Sequence, residues 1–564
     1  MRGALAVLIA LLSLPVVAGG ASEPAGGGPL PRVGWEAAQH LGCRLFSLPL
    51  AALEGRFEKG TRRGPPVTAN GVALTVAVAP STQPGGAHRE SGLSGLAPEN
   101  RVPMEDPPAQ VGSGLPADFA AALERAGVKP QQISIWFGEA DSTEARFHWL
   151  PETPRNPASV LKIVTTAQAL EQLGPVHRWT TRAWAEGPVR RGTLQGRLVI
   201  EGAGDPRLRR SDLRSLLAQV RAAGIRRIDG DLVIDRNAFD LPTHDPGAFD
   251  GQPKRAYNVG ADALLVDLAA QSVNTRVDTV DGRVHAWLEP MLDGVRLDNR
   301  LRSVAGDCKD WRLRPLMQVI DTTAAQTVVR VEGEVPDACE TASIDIAPVA
   351  GPEYTRRVLL QTWRELGGEL SGQVADGRLG YGMRVVGELQ SAPLADLIRD
   401  INRFSNNVMA DLVWLTAGAQ TSGWPATRTK ATEATQAWLA ALGGDDAETI
   451  IDSGSGLSRR TRISAEQLHA VLRRMARSPL FPEFAASLPI AGHDGTAART
   501  RVQSHARLKT GSLNGVRAAA GYVRDRSGRW LSLVVLVEAA PDAGWRDLLA
   551  WLADRAAATD GPVP

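Results

Sequence analysis

The sequence predicts an α+β fold: one antiparallel five-stranded sheet with helices on both sides, interrupted by a large inserted region that is itself α+β and rich in strands. Three observations predict it. Two strand-like runs, Ile133 to Phe137 and Arg146 to Leu150, stand before an apolar helical segment that opens at Pro157. Three more runs, Arg507 to Val516, Ala518 to Arg524 and Trp530 to Glu538, stand near the end of the chain. Between these groups, residues 181–385 change to short strands and loops with an occasional helix. Apolar runs of this length bounded by turn residues read as strands, and the five would pair into a single sheet.

Taken in order, the chain begins with Arg2, an apolar run from Ala4 to Val17 and small residues from Ala18 to Ala21, which together read as an export signal over residues 1–21. That run is short for a membrane span, and no later stretch is long and apolar enough to be one. Residues 22–114 alternate Gly, Pro, Ser and Ala clusters with short apolar pieces. They read as a low-complexity, disordered leader that cannot bury enough apolar surface to offset its ordering entropy, with room for a small element around Leu45 to Leu53. Order is expected from Leu115, with Phe119, Leu123 and Ala126 at helical spacing before Gly127.

The expected division is therefore 115–180 with 386–564 as one domain, 181–264 with 346–385 as an inserted domain, and 265–345 as a third. Within the insertion, Leu198 to Glu201 and Leu232 to Asp235 read as strands, and Leu213 to Ala223 and Tyr354 to Leu366 as helices. After it, helices are expected over Leu394 to Ile401, Val408 to Leu415, Thr432 to Leu442, Ala465 to Met475 and Trp545 to Ala556. The 63 basic and 62 acidic residues nearly cancel, which argues against nucleic acid or an anionic membrane as the main partner. Cys308 and Cys339, 31 positions apart, can pair in an oxidising compartment, where closing the loop contributes about 3 to 4 kcal/mol in the chain-entropy model. Two buried free thiols are the alternative, and Cys43 reads as incidental.

The stretch that carries chemistry is Pro157-Ala158-Ser159-Val160-Leu161-Lys162. A serine three residues before a lysine on a helix shares its face, so hydroxyl and amine can meet. Asn156 suits the cap and Pro157 the first turn. Lys509-Thr510-Gly511 is the only such triplet in the chain, on a strand where Gly511 lets another backbone come close. Ser-x-Asn occurs three times, at Ser272, Ser405 and Ser512, but only Ser405-Asn406-Asn407 falls in a loop between two helices. There is no Gly-x-Ser-x-Gly elbow and no His-Glu-x-x-His pair. Trp136, Trp311, Trp414 and Trp551 read as core, Arg209-Arg210 and Arg459-Arg460 as solvated faces, and His493-Asp494 as loop residues.

In this order, Ser-x-x-Lys, Ser-x-Asn and Lys-Thr-Gly resemble the penicillin-recognising serine enzymes. With 245 residues between Ser159 and Ser405, the chain is most similar to the low-molecular-mass class C penicillin-binding proteins, the D-alanyl-D-alanine carboxypeptidase/endopeptidases. Gly204-Asp205-Pro206, Ile228-Asp229-Gly230-Asp231, Tyr257-Asn258-Val259-Gly260, Asp452 to Arg459, Leu488 to Gly492 and Asp494-Gly495-Thr496 agree with it.

The resemblance implies a β-lactamase/transpeptidase-like fold and a periplasmic serine peptidase acting on peptidoglycan stem peptides and acylated by β-lactams, with no cofactor and no metal. It implies Ser159 as nucleophile, Lys162 as base, Ser405 as proton relay, Asn407 as the group holding Lys162 and the substrate amide, and Lys509 with Thr510 as the carboxylate site. Gly511 and Ser512 would line the substrate, and the N–H groups of Ser159 and Ser512 would form the oxyanion hole. An ordinary lysine has a pKa of about 10.4, so a neutral base costs roughly 4 kcal/mol of destabilised charge. Burial, the helix N-terminus and Lys509 are expected to supply it. A non-catalytic cell-wall scaffold and a serine β-lactamase are the alternatives, the latter opposed by the long insertion.

Overall fold

The computed structural model describes residues 115–558, apart from 279–280, 309–315, 323–325, 340, 444–447, 503–504 and 540–543. The expected signal, the leader with Cys43, and Trp311 lie outside the described residues.

The central sheet is five-stranded and antiparallel throughout, in the spatial order Ala506–Leu513, Val516–Arg524, Trp530–Glu538, Ile133–Glu139, Phe147–Trp149. Ile133 pairs with Val537 and Glu139 with Leu531, so the two ends of the region close one sheet. The inner strand Trp530–Glu538 is buried along nearly its whole length because both of its faces are covered. Leu533, Val535 and Val537 point with Ile133, Ile135 and Phe137 toward the helices Ala117–Ala126 and Trp545–Ala558. Val534 and Leu536 point the other way with Trp136 and Tyr522, against Lys162–Leu173 and Ala465–Ala476. The period-two alternation of a strand makes this division.

Several strand ends differ from expectation: Ile133–Glu139 and Val516–Arg524 are each two residues longer than expected, and two other strands are shorter. The run expected from Arg507 to Val516 turns at Asn514-Gly515, and Leu513 pairs directly with Val516 across it. Asn-Gly with Gly515 at φ 73° is a favoured two-residue hairpin loop, a signal that the reading of 507–516 as one strand passed over. The strand expected from Arg146 to Leu150 is shorter, Phe147–Trp149, with Leu150 just beyond it in the left-handed region at φ 43°.

The inserted segment builds a mixed five-stranded sheet in the order Val374–Gly377, Leu232–Asp235, Leu198–Glu201, Thr180–Ala185, Arg384–Gln390. The helices Arg210–Ala222 and Gly351–Glu365 pack Leu216, Tyr354 and Trp363 into its core. Two three-stranded sheets follow between Gln271 and Ile346. There Cys308 and Cys339 are joined with their Cα atoms 4.9 Å apart, Cys339 packing with Val277, Val284 and Val335.

The helix Asn407–Ser422 ties the two parts together. Val408 and Leu412 enter the core of the insertion, whereas Met409, Ala410, Val413 and Trp414 enter that of the helices beside the central sheet. A helix apolar on all sides is buried on all sides, which fixes the direction in which its first turns point. Among the described residues, no helix is long and apolar enough to cross a membrane.

Leu536, fully buried on the central strand, is expected to cost about 2 to 5 kcal/mol when replaced by alanine. Val176→Ala, at a site 78% exposed, is expected to change stability by less than about 0.5 kcal/mol. Urea unfolding of both variants measures the contrast.

Candidate active site

Ser159 lies on a short 3-10 turn, Ala158–Leu161, that runs directly into the helix Lys162–Leu173. The turn starts one residue later than expected, with Pro157 rather than Asn156 at its cap; Asn156 instead braces the approach, its Oδ1 accepting from the Ala158 N–H at 2.8 Å while its Nδ2 donates to the Ser458 carbonyl at 2.8 Å. Ala158 is held left-handed at φ 46°. The strand Ala506–Leu513 runs close beside the turn: a Cβ on Gly511 would stand 2.6 Å from the Pro157 carbonyl oxygen and 3.1 Å from the Ser159 nitrogen. Only a residue without a side chain permits that approach.

Lys162 is fully buried. Its Nζ lies 3.1 Å from Ser159 Oγ, 2.7 Å from Asn407 Oδ1 and 2.7 Å from the Ser455 carbonyl oxygen. A neutral amine has two N–H bonds and one lone pair. The two shorter contacts, both to oxygens that can only accept, take the N–H bonds and leave the lone pair for the Ser159 hydroxyl. Burial lowers the Lys162 pKa to about 7, opposed by the negative charge of Asp411. Near neutrality such an amine can take a proton from the serine.

Ser405 ends the helix Leu394–Phe404 in a left-handed conformation at φ 57°, and Asn406 caps the next helix by accepting from the Met409 N–H at 3.0 Å. Ser405-Asn406-Asn407 is thus the joint between two helices. The Ser405 hydroxyl accepts from Lys509 Nζ at 2.9 Å, and Asn407 Nδ2 donates to the Tyr257 carbonyl of the insertion at 3.1 Å. Lys509 is fully buried, donates also to the Thr510 carbonyl at 2.8 Å, and is pushed well below the usual lysine range by burial first and by Lys162 second. Thr510 Oγ1 is 2.7 Å from Thr496 Oγ1.

A cleft of about 630 Å³ opens over these groups, lined by Ser159, Ser405, Asn407 and Ser512 and, from the insertion, by Asp250 and Tyr257. All residues singled out from the three motifs fall at or beside this cleft; Cys308 and Cys339 belong to the sheets of the insertion. Trp136 and Trp414 are core, as expected. Arg459 is exposed but lies over the Phe249 ring at 4.9 Å and lines the cleft, which a reading as a purely solvated face missed.

Three further partners were missed. Asp411 lies one turn beyond Asn407 on the same helical face, an i, i+4 relation visible in the sequence. Ser455 contributes a carbonyl, which no side-chain pattern signals, and Thr496 meets Thr510 only through the fold. Among the described residues no group of three His, Cys, Asp or Glu side chains is placed to hold a metal ion.

Comparison with known proteins places the chain in a family. A D-alanyl-D-alanine carboxypeptidase from Actinomadura sp. (strain R39) is 30% identical over 414 residues, 66% of this chain and 71% of that protein. The D-alanyl-D-alanine carboxypeptidase DacB of Haemophilus influenzae is 25% identical over 396 residues, 67% of this chain and 80% of that one. The crystal structure of penicillin binding protein 4 (dacB) from H. influenzae superposes with a TM-score of 0.65 at 21% identity, covering 78% of this chain and all of that one, and shares its fold. The D-Ala-D-Ala carboxypeptidase 3 (S13) family model matches residues 116–555, and the chain belongs to that family of serine peptidases.

Proposed function

We propose that the chain releases the terminal D-alanine of peptidoglycan stem peptides through a Ser159 acyl-enzyme, cleaves cross-links between stem peptides at the same site, and is acylated there by β-lactams. The observation that carries this reading is the buried amine of Lys162 held 3.1 Å from Ser159 Oγ with its pKa brought to about 7.

In the first step Ser159 Oγ attacks the carbonyl carbon of the penultimate D-alanine, its proton passes to Lys162, and the carbonyl electron pair moves onto oxygen. The N–H groups of Ser159 and Ser512 receive that oxygen; losing one such donor costs on the order of a hundredfold in rate. Collapse expels the terminal D-alanine, whose amine takes the proton back from Lys162 through the Ser405 hydroxyl, leaving Lys162 neutral. Water then attacks the ester, Lys162 receiving its proton and returning it to Ser159 Oγ as the ester C–O bond breaks. Asn407 holds Lys162 in register and bonds the substrate amide.

Lys509 and the Thr510 hydroxyl bind the terminal carboxylate. The arriving anion favours the ammonium form of a lysine that burial otherwise disfavours, so the substrate completes its own binding site. The penicillin binding protein 4 from H. influenzae has been solved in complex with a β-lactam, which supports β-lactam binding by this chain. The Cys308–Cys339 disulfide supports an oxidising compartment such as the periplasm.

Ser159→Ala is expected to lose all covalent labelling by a fluorescent penicillin while keeping its circular dichroism; persistent labelling would remove Ser159 as nucleophile. For D-alanine release from a pentapeptide ending in D-Ala-D-Ala, Lys162 must be neutral to act. The rate kcat/KM should therefore fall about tenfold per pH unit below about 7 and level off above it. An acidic limb centred near 10 would rule out a depressed lysine. Mass analysis of cross-linked muropeptides after incubation reads the endopeptidase activity directly, as conversion of dimers to monomers.

A further inference from the structure

The mechanism leaves one charged neighbour of Lys162 unused. Asp411 sits one turn after Asn407, partly buried beside a cavity of about 520 Å³ that Asn407, Arg428 and Ser455 also line. Its Oδ1 accepts from the Gly454 N–H at 2.8 Å and its Oδ2 lies 3.4 Å from the Ser455 hydroxyl. The carbonyl of the same Ser455 accepts from Lys162 Nζ at 2.7 Å, and the Gly454 carbonyl accepts from Thr165 Oγ1 at 2.6 Å. Asp411 thus grips from one side the loop that the Lys162 helix grips from the other.

We propose that Asp411 is a positioning residue for the base, its carboxylate fixing the Gly454-Ser455 loop that orients Lys162 and balancing the positive charge that Lys162 acquires from Ser159. This inference rests on the reading of Lys162 as the base. During attack the Ser159 proton moves to Nζ, the Oγ–C bond forms, and the carbonyl electron pair moves to oxygen. No covalent change occurs at Asp411. Its anion stabilises a lysinium that burial would otherwise make too costly, so the base can accept the proton in the transition state.

The charges acting on Asp411 are Arg428, from the helix Arg428–Ala441, and Lys162 itself. The other charged groups around the cavity have their own partners. Asp452 pairs with Arg460 at 3.1 Å, Asp245 accepts from the Gly247 N–H at 2.8 Å, Arg459 lies over Phe249, and His244 Nε2 contacts the Asn258 carbonyl at 2.7 Å. Desolvation raises the Asp411 pKa while the two cations lower it, and the anion in turn raises that of Lys162.

The experiment is the pH profile of kcat/KM for D-alanine release by the full chain and its variants. Asp411→Asn keeps an acceptor for the Gly454 N–H and removes the charge. The acidic limb should move about one to two pH units lower, and the plateau should fall on the order of tenfold because the base is weaker. Asp411→Glu should bring the limb back toward that of the unaltered enzyme. An unmoved limb in a folded Asp411→Asn variant overturns the proposal, as does a limb that Asp411→Glu fails to restore. Failure of Asp411→Asn, Asp411→Ser and Asp411→Glu alike to fold assigns the carboxylate a purely structural role and also overturns it. Lys162→Ala separates the two readings. Retained acylation in that variant removes Lys162 as base, whereas lost acylation with an unmoved Asp411→Asn limb removes only the role of Asp411.

Discussion

An amine with no exposure to solvent is the constraint on which the rest depends. An ammonium group loses strongly stabilising hydration when it is buried, and the protein answers by favouring the neutral form and by giving each N–H an oxygen. Lys162 meets Asn407 from one helix and the Ser455 carbonyl from a loop, and these two contacts leave the lone pair turned toward Ser159. Any shift of the helix or the loop would expose an unsatisfied donor, so the surroundings of Lys162 must be held from several sides at once.

The fold supplies those sides. The helix Lys162–Leu173 buries its first nine residues, packed against the helices Asn407–Ser422 and Ala465–Ala476, while the turn Ala158–Leu161 before it lies on the central sheet. That helix is wedged between two hydrophobic cores, which sets where Asn407 and Asp411 point. The insertion contributes the Tyr257 carbonyl, which takes the second arm of the Asn407 amide. Close backbone approaches complete the frame. Gly511 lets a strand lie against the Ser159 turn, and Gly456, at φ 74°, would carry a Cβ only 2.0 Å from the Ala158 carbonyl oxygen. Two side-chain-bearing residues, Ala158 and Ser405, are held left-handed beside the reacting groups, a conformation that costs on the order of 1 to 3 kcal/mol each and persists only where packing enforces it.

Lys509 faces a related constraint with a different outcome. It too is buried, and its amine meets the Ser405 hydroxyl and the Thr510 carbonyl. Burial disfavours its charge, and Lys162 repels that charge further. Two lysines of the same type, both fully buried, thus differ in their surroundings: burial lowers the pKa of each, the negative charge of Asp411 opposes this at Lys162, and the charge of Lys162 adds to it at Lys509.

The sequence alone determined the parts that obey local rules. Strand alternation and helix periodicity located the central sheet and most helices, because a side chain's face follows from its spacing. The three short motifs supplied Ser159, Ser405, Asn407 and Ser512, which line the cleft beside residues of the insertion such as Asp250 and Tyr257 that no motif marked. Where a local turn signal was passed over, as with Asn514-Gly515 between two strands read with one boundary, the boundary was misplaced. Only the tertiary structure decided the electrostatics. Ser455 acts through a backbone carbonyl, Asp411 through its distance to a lysine nearly 250 positions earlier, and Thr496 through a hydroxyl met across two segments. Spacing along the chain carries no record of such contacts, since the interaction of a charge with its neighbours depends on separation in space and on the solvent excluded between them.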